Sequence, residues 1–113
     1  MERTKFEITI GVEYDRDNRR ITPKHREAAL DKIKDLAALH YGGYTMVQGT
    51  GGWHNDAGEL VQEHVVILTI VVNRRDTEST RSDVLESAAR YGQILNQDSI
   101  VVAKGSEAGI YKV

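Results

Sequence analysis

The chain of 113 residues has no cysteine, a single proline, a single tryptophan and a single phenylalanine. Without cysteine it forms no disulfide, thiolate metal site or cysteine nucleophile. Charge of one sign is missing as well: the formal net charge is −2. Nothing in that balance points to a nucleic-acid backbone or an anionic membrane as the main partner. No apolar run approaches the length of a membrane span. The opening Met-Glu-Arg-Thr-Lys lacks the apolar core of a signal peptide, which predicts a cytoplasmic protein. Internal repeats, low-complexity tracts and linkers are absent. The four histidines, His25, His40, His54 and His64, show no zinc-type spacing. His54 and His64 can approach across a hairpin, but a third ligand is lacking, and no metal site is expected. No nucleophile elbow supports a Ser-His-Asp triad.

What is present is ordinary for a folded domain: 40% apolar and 28% charged residues. The length predicts one domain over residues 1–113, able to hide roughly 65% of its unfolded surface. Short basic clusters at Arg16, Arg19 and Arg20, and at Arg74 and Arg75, are broken by acids or turn residues and read as solvated loops.

Residues 5–13 alternate. Phe6, Ile8, Ile10 and Val12 point one way; Glu7, Thr9, Gly11 and Glu13 point the other, as in a strand with one buried face. Asp15 to Arg20 reads as a loop. Thr22 before Pro23 starts a helix, the hydroxyl capping free N–H groups and the proline occupying the first helical position. That helix is predicted over residues 23–40, with an apolar stripe of Ala29, Ile33, Leu36 or Ala37, and His40, and it ends at Gly42 and Gly43. Strands over 44–53 and 60–72 form a hairpin around the turn residues His54 to Gly58. Thr77 to Asp83 starts a second helix reaching about residue 95, with Val84, Ala88, Tyr91 and Leu95 on one stripe. A strand over 99–103 follows, then a loop with Gly105 and Gly109. The apolar end at 110–113 fits an additional edge strand.

The order β-α-β-β-α-β is the ferredoxin-like, split βαβ arrangement of an α+β domain. Right-handed crossovers place both helices on one face of an antiparallel sheet. The run from Val65 to Val72 is apolar nearly throughout, so it reads as a strand buried on both faces. Helices cover one face only. The other needs another layer, and a second copy of the chain is its simplest source.

Unusual residues concentrate on the hairpin. Gly49, Gly51 and Gly52 in a strand either let a ligand lie against bare backbone or mark a bulge near the tip. They open no helix and match no phosphate-binding fingerprint. Trp53 can stack on a purine, face a cation or plug a subunit contact. Glu63 shares a face with Val65, Ile67, Thr69 and Val71. A carboxylate there calls for a partner: a ligand amine, a ribose hydroxyl, a sulfonium, or a salt bridge at the strand end.

Tyr41-Gly42-Gly43-Tyr44, then Thr50-Gly51-Gly52-Trp53, then Glu63 entering an apolar strand, resembles the phage-encoded S-adenosylmethionine lyases, formerly called hydrolases. Leu95-Asn96-Gln97-Asp98 before Ser99-Ile100-Val101-Val102 extends the resemblance, which covers roughly residues 28–113. The resemblance implies a PII-like homotrimer with sites between subunits and no cofactor. It implies that the substrate's own carboxylate attacks its γ-carbon and expels the sulfonium sulfur, giving methylthioadenosine and homoserine lactone. On this basis Glu63 matches the glutamate important for activity, and Tyr44, Gln48, Thr50, Gly51, Gly52 and Trp53 are the expected substrate-binding residues. Trp53 stands where some members have an active-site tyrosine, so a phenolic hydroxyl is lost. The host cytoplasm is the implied location for a phage-encoded enzyme. Two alternatives stay open: a non-catalytic PII-like trimer holding a nucleotide or nucleotide signal, as sensor or anti-defence sponge, and a purely structural trimer.

Overall fold

The computed structural model describes residues 2–105 and 107–113. Chain order is β1 (Thr4–Gly11), α1 (Pro23–Tyr41), β2 (Thr45–His54), β3 (Leu60–Val72), α2 (Glu78–Ile94), β4 (Ser99–Lys104) and β5 (Glu107–Lys112). The strands make one antiparallel sheet in the order β2-β3-β1-β4-β5. The first four strands and two helices are the ferredoxin-like βαββαβ arrangement that the sequence predicts. β5 goes further than expected. It is a six-residue strand paired with the whole of β4, from Ser99 opposite Lys112 to Lys104 opposite Glu107. Gly109 therefore sits inside a strand and not in a loop.

Both helices begin as their sequences dictate. Thr22 accepts the His25 N–H at 3.2 Å ahead of Pro23, and Thr77 accepts the Thr80 N–H at 3.2 Å. Gly42 closes α1 with φ at 80°, in the left-handed region where a side chain would be strained. The α1 stripe buries Ala29, Ile33 and Ala37, with His40 left exposed. The α2 stripe buries Val84, Ala88, Tyr91 and Leu95 as expected.

These stripes pack onto one face of the sheet. Phe6, Ile8 and Ile10 of β1, Val66, Leu68, Ile70 and Val72 of β3, and Ile100 and Val102 of β4 complete one core cluster with them. Each interior aliphatic contributes about 1.5–3 kcal/mol by leaving water.

The opposite face of the sheet is open. Register places Val47, Ile67, Val71, Val101 and Ile110 on it. Val71 is 43% exposed and Ile110 75% exposed. In the single chain β3 is therefore buried on one face only; the second apolar face, which the sequence predicts to need a cover, is bare. The β2–β3 hairpin also outruns the sheet. β1 pairs with β3 only as far as Gly11 opposite Val65, whereas the hairpin continues to His54 opposite Leu60. The chain is elongated as a result, 47 × 30 × 20 Å. Trp53 and Leu60 stand on this two-stranded arm largely exposed.

Candidate functional site

A cleft of about 1100 Å³ lies on the open face of the sheet, at the root of the hairpin arm. Its floor is Thr9 and Gly11 of β1, Val65 of β3 and Val101 of β4. Gly51, Trp53 and Glu63 form the arm side; Tyr14, Asp15 and Arg16 of the β1–α1 loop, with Gln97 and Asp98 of the α2–β4 turn, form the other. Strand periodicity explains the grouping. Odd-numbered residues of β2 and β3 share this face, so Gly51 opposite Glu63 and Trp53 opposite Val61 arrive together.

The same periodicity separates residues that sequence reading groups. Gln48, Thr50 and Gly52 carry the other parity; Thr50 faces His64 and Gln48 faces Val66 on the helix side. Gly52 still borders the cleft through its backbone, while Gln48 lines a small groove with Arg26, Leu30 and His64. Tyr44 precedes β2 at the far end of the hairpin, seven residues before Gly51. At about 3.3 Å per residue, that puts Tyr44 more than about 20 Å from the arm within one chain. His54 and His64 lie on separate rows, opposite Leu60 and Thr50.

The glycines have a packing reason of their own. A Cβ on Gly51 would stand 3.1 Å from Val65 Cγ1, and one on Gly49 3.6 Å from Val65 Cγ2. Bare backbone at both positions lets Val65 sink to 8% exposure on an otherwise open face.

Glu63 is the half-buried carboxylate of the cleft. It takes part in none of the ion pairs among the described residues. Burial raises its pKa above the ordinary glutamate value, and the Glu13 carboxylate raises it further, partly offset by the backbone N–H of Tyr14. Glu13 is itself held by the His64 backbone N–H, which donates to its Oε2 at 2.8 Å.

Three residues that sequence analysis names without assigning them to the site shape this spot. Gln97 is 7% exposed, and its Nε2 donates to the carbonyls of Tyr14 at 2.8 Å and Leu95 at 3.2 Å. Both amide protons are thereby used, so Oε1 is fixed as an acceptor on the side of Gly11. A Cβ on Gly11 would lie 3.0 Å from that oxygen and 2.8 Å from Glu63 Oε1. Glu63 and Gln97 thus present two acceptor oxygens over the bare backbone of Gly11. Such a pair suits a ligand group with several N–H or O–H donors, such as an ammonium or a diol. The third residue is Arg16, exposed in its loop as the sequence predicts and also part of the cleft wall. Its Nη2 donates to the Gln97 carbonyl at 2.9 Å, and its backbone N–H to Asn96 O at 2.8 Å.

The fold is that of the phage S-adenosylmethionine lyases. A phage SAM lyase in complex with S-methyl-5'-thioadenosine aligns with a TM-score of 0.67 and 14% identity, over 98% of this chain and 90% of that one. A phage SAM lyase in the apo state aligns with a TM-score of 0.67 and 16% identity, over 96% of this chain and 88% of that one. Among curated protein sequences none matches. The family described as "Protein of unknown function (DUF3574)" matches residues 5–109, nearly the whole chain, and the protein belongs to that family.

Proposed function

We propose that the protein is an S-adenosylmethionine lyase working at the interfaces of a homotrimer. The observation that carries this reading is the Glu63 carboxylate. It is half-buried in the cleft of about 1100 Å³, beside Trp53 and Gly51, and has no ion-pair partner among the described residues. A carboxylate so placed costs stability unless a ligand group satisfies it.

The chemistry asks little of the protein. The substrate carboxylate oxygen forms a bond to the γ-carbon while the carbon–sulfur bond breaks, and sulfur leaves with the electron pair as a neutral thioether. Holding the chain folded for that attack supplies much of the acceleration, up to roughly 7–11 kcal/mol in favourable intramolecular cases. Carboxylate and sulfonium charges cancel as the ring closes, so a water-poor site disfavours the ground state more than the transition state. Glu63 and Gln97 Oε1 would orient the substrate through its ammonium or ribose hydroxyls, with Trp53 against the purine or the sulfonium.

A nucleotide sensor fits the cleft less well. Its charged lining is Asp15, Glu63 and Asp98 against Arg16 alone, a balance that repels a polyphosphate and suits a cationic or zwitterionic ligand. Incubation with S-adenosylmethionine followed by mass spectrometry tests the function. Methylthioadenosine and homoserine lactone, lost on Glu63→Ala, is the expected result; substrate recovered unchanged would remove the lyase.

The trimer rests on the bare sheet face and the exposed arm. A two-stranded arm carrying Trp53 and Leu60 is marginal alone and gains a layer by lying on a second copy. Val47 is 51% exposed, so Val47→Asp costs the lone chain little. Buried against a neighbour, the same charge is costly. Sedimentation velocity is expected to show a trimer for the wild type and monomers for this variant. A variant that sediments like the wild type would place the contact elsewhere.

A further inference from the structure

Of the charged residues lining the cleft, Arg16 is the single cation. The surrounding acids are already engaged. Asp15 Oδ1 accepts the backbone N–H groups of Asp17 at 2.9 Å and Arg19 at 3.0 Å, which makes it the brace of its own loop. Asp98 pairs with Lys112 at 2.7 Å. Arg16 itself joins no ion pair among the described residues. It is nevertheless fixed at two points, through its backbone N–H to Asn96 O and through Nη2 to Gln97 O. A guanidinium has five N–H donors in a rigid fork. The charge of Arg16 acts on the Asp98 carboxylate of the same cleft, but the fork is anchored, joins no ion pair, and has N–H donors left for one anionic group.

We infer that Arg16 is the specificity-determining residue that takes the carboxylate of the bound ligand, and that the cleft selects molecules carrying an α-amino acid end. This rests on the lyase reading and adds to it a residue and a rule of selection. The geometry divides the ligand's charges. Cationic groups meet Glu63 and Gln97 Oε1 over Gly11; the carboxylate meets Arg16, which hangs from the same Gln97 through its backbone carbonyl. Gln97 therefore sets the spacing between the two subsites.

The reaction makes this grip unequal. The carboxylate loses its charge as the lactone closes, so Arg16 holds the ground state more tightly than the transition state. Removing it is expected to raise both KM and kcat for S-adenosylmethionine, because the lost contact is stronger in the bound ground state than in the transition state.

Two probes that are not turned over separate the possibilities. S-adenosylhomocysteine keeps the amino-acid end; methylthioadenosine lacks it. Calorimetric titration of Arg16→Ala is expected to weaken S-adenosylhomocysteine by about tenfold, the low end for an ionic hydrogen bond at an exposed side chain. Methylthioadenosine should stay within about twofold, and Arg16→Lys should recover part of the loss, since it restores the charge without the fork. Equal weakening of both ligands would mean that Arg16 only braces the loop, and would overturn the assignment while leaving the lyase standing. Unaltered S-adenosylhomocysteine affinity would overturn it too. A wild-type chain that binds neither probe would sink the lyase reading and this subsite with it.

Discussion

Glu63→Gln should cut turnover of S-adenosylmethionine by about a hundredfold and, at neutral pH, make the protein more stable. The first effect is the loss of a charge-assisted hydrogen bond to the substrate, worth about 1.5–3 kcal/mol, at roughly 1.4 kcal/mol per tenfold in rate. The second follows from linkage. Burial and the nearby Glu13 hold the folded pKa of Glu63 above its ordinary value. The folded state therefore keeps its proton to higher pH than the unfolded chain does. There is no penalty below the unfolded pKa, where both states are protonated. As pH rises through the folded pKa the wild type loses stability, and an amide loses none. Thermal melts of the two proteins should coincide near pH 3 and separate by pH 7, with the variant higher. A variant lower at pH 7 would mean that Glu63 is a structural anchor. The combination of lower activity and higher stability is the mark of a group kept for function.

Much of the fold was legible because it follows from local periodicity. Phe6, Ile8, Ile10 and Val12 alternate, and all four are buried. Val84, Ala88, Tyr91 and Leu95 recur at helical spacing, and all four are buried too. Thr22-Pro23 and Thr77 cap the helices that they announce. β5 was the weakest signal. Glu107, Ala108 and Gly109 have poor strand propensity, and they are held by pairing with β4.

The site was legible in part. Glu63, Gly51 and Trp53 could be grouped because strand parity is readable from sequence. Thr50 and Gln48 fall on the other parity, and a motif read as a contiguous string hides that division. Gln97 and Arg16 were opaque for a different reason. Their partners are carbonyls, Tyr14 O for Gln97 and Gln97 O for Arg16, at sequence separations of 83 and 81. No local pattern reports a contact of that range. The burial of Gln97 comes from the docking of one loop on another, which the motif Leu95-Asn96-Gln97-Asp98 marks in sequence without reporting the contact. Gly11 did carry a signal. A glycine inside an otherwise regular alternation marks a place where something approaches the backbone, and here that is Glu63.

Gly11→Ala should therefore silence the site and spare the fold. The new methyl would stand 2.8 Å from Glu63 Oε1 and 3.2 Å from its Cδ, distances at which one side must move. Gln97 Oε1, 3.0 Å from the same methyl, belongs to a side chain pinned by hydrogen bonds to two backbone carbonyls, and it cannot give way easily. Glu63 is the end of a flexible side chain, so it swings out of the cleft at small cost. Gly11 has no positive φ, so alanine fits its backbone and removes freedom from the unfolded chain, a gain of about 0.4–1 kcal/mol. The expected outcome is a thermal midpoint equal to or slightly above the wild type, with turnover reduced by about the same hundredfold as in Glu63→Gln. Combining the two substitutions should add almost nothing, because both remove one interaction. If the double variant were instead about ten-thousandfold slower, Gly11 would act on the substrate by itself and not through Glu63.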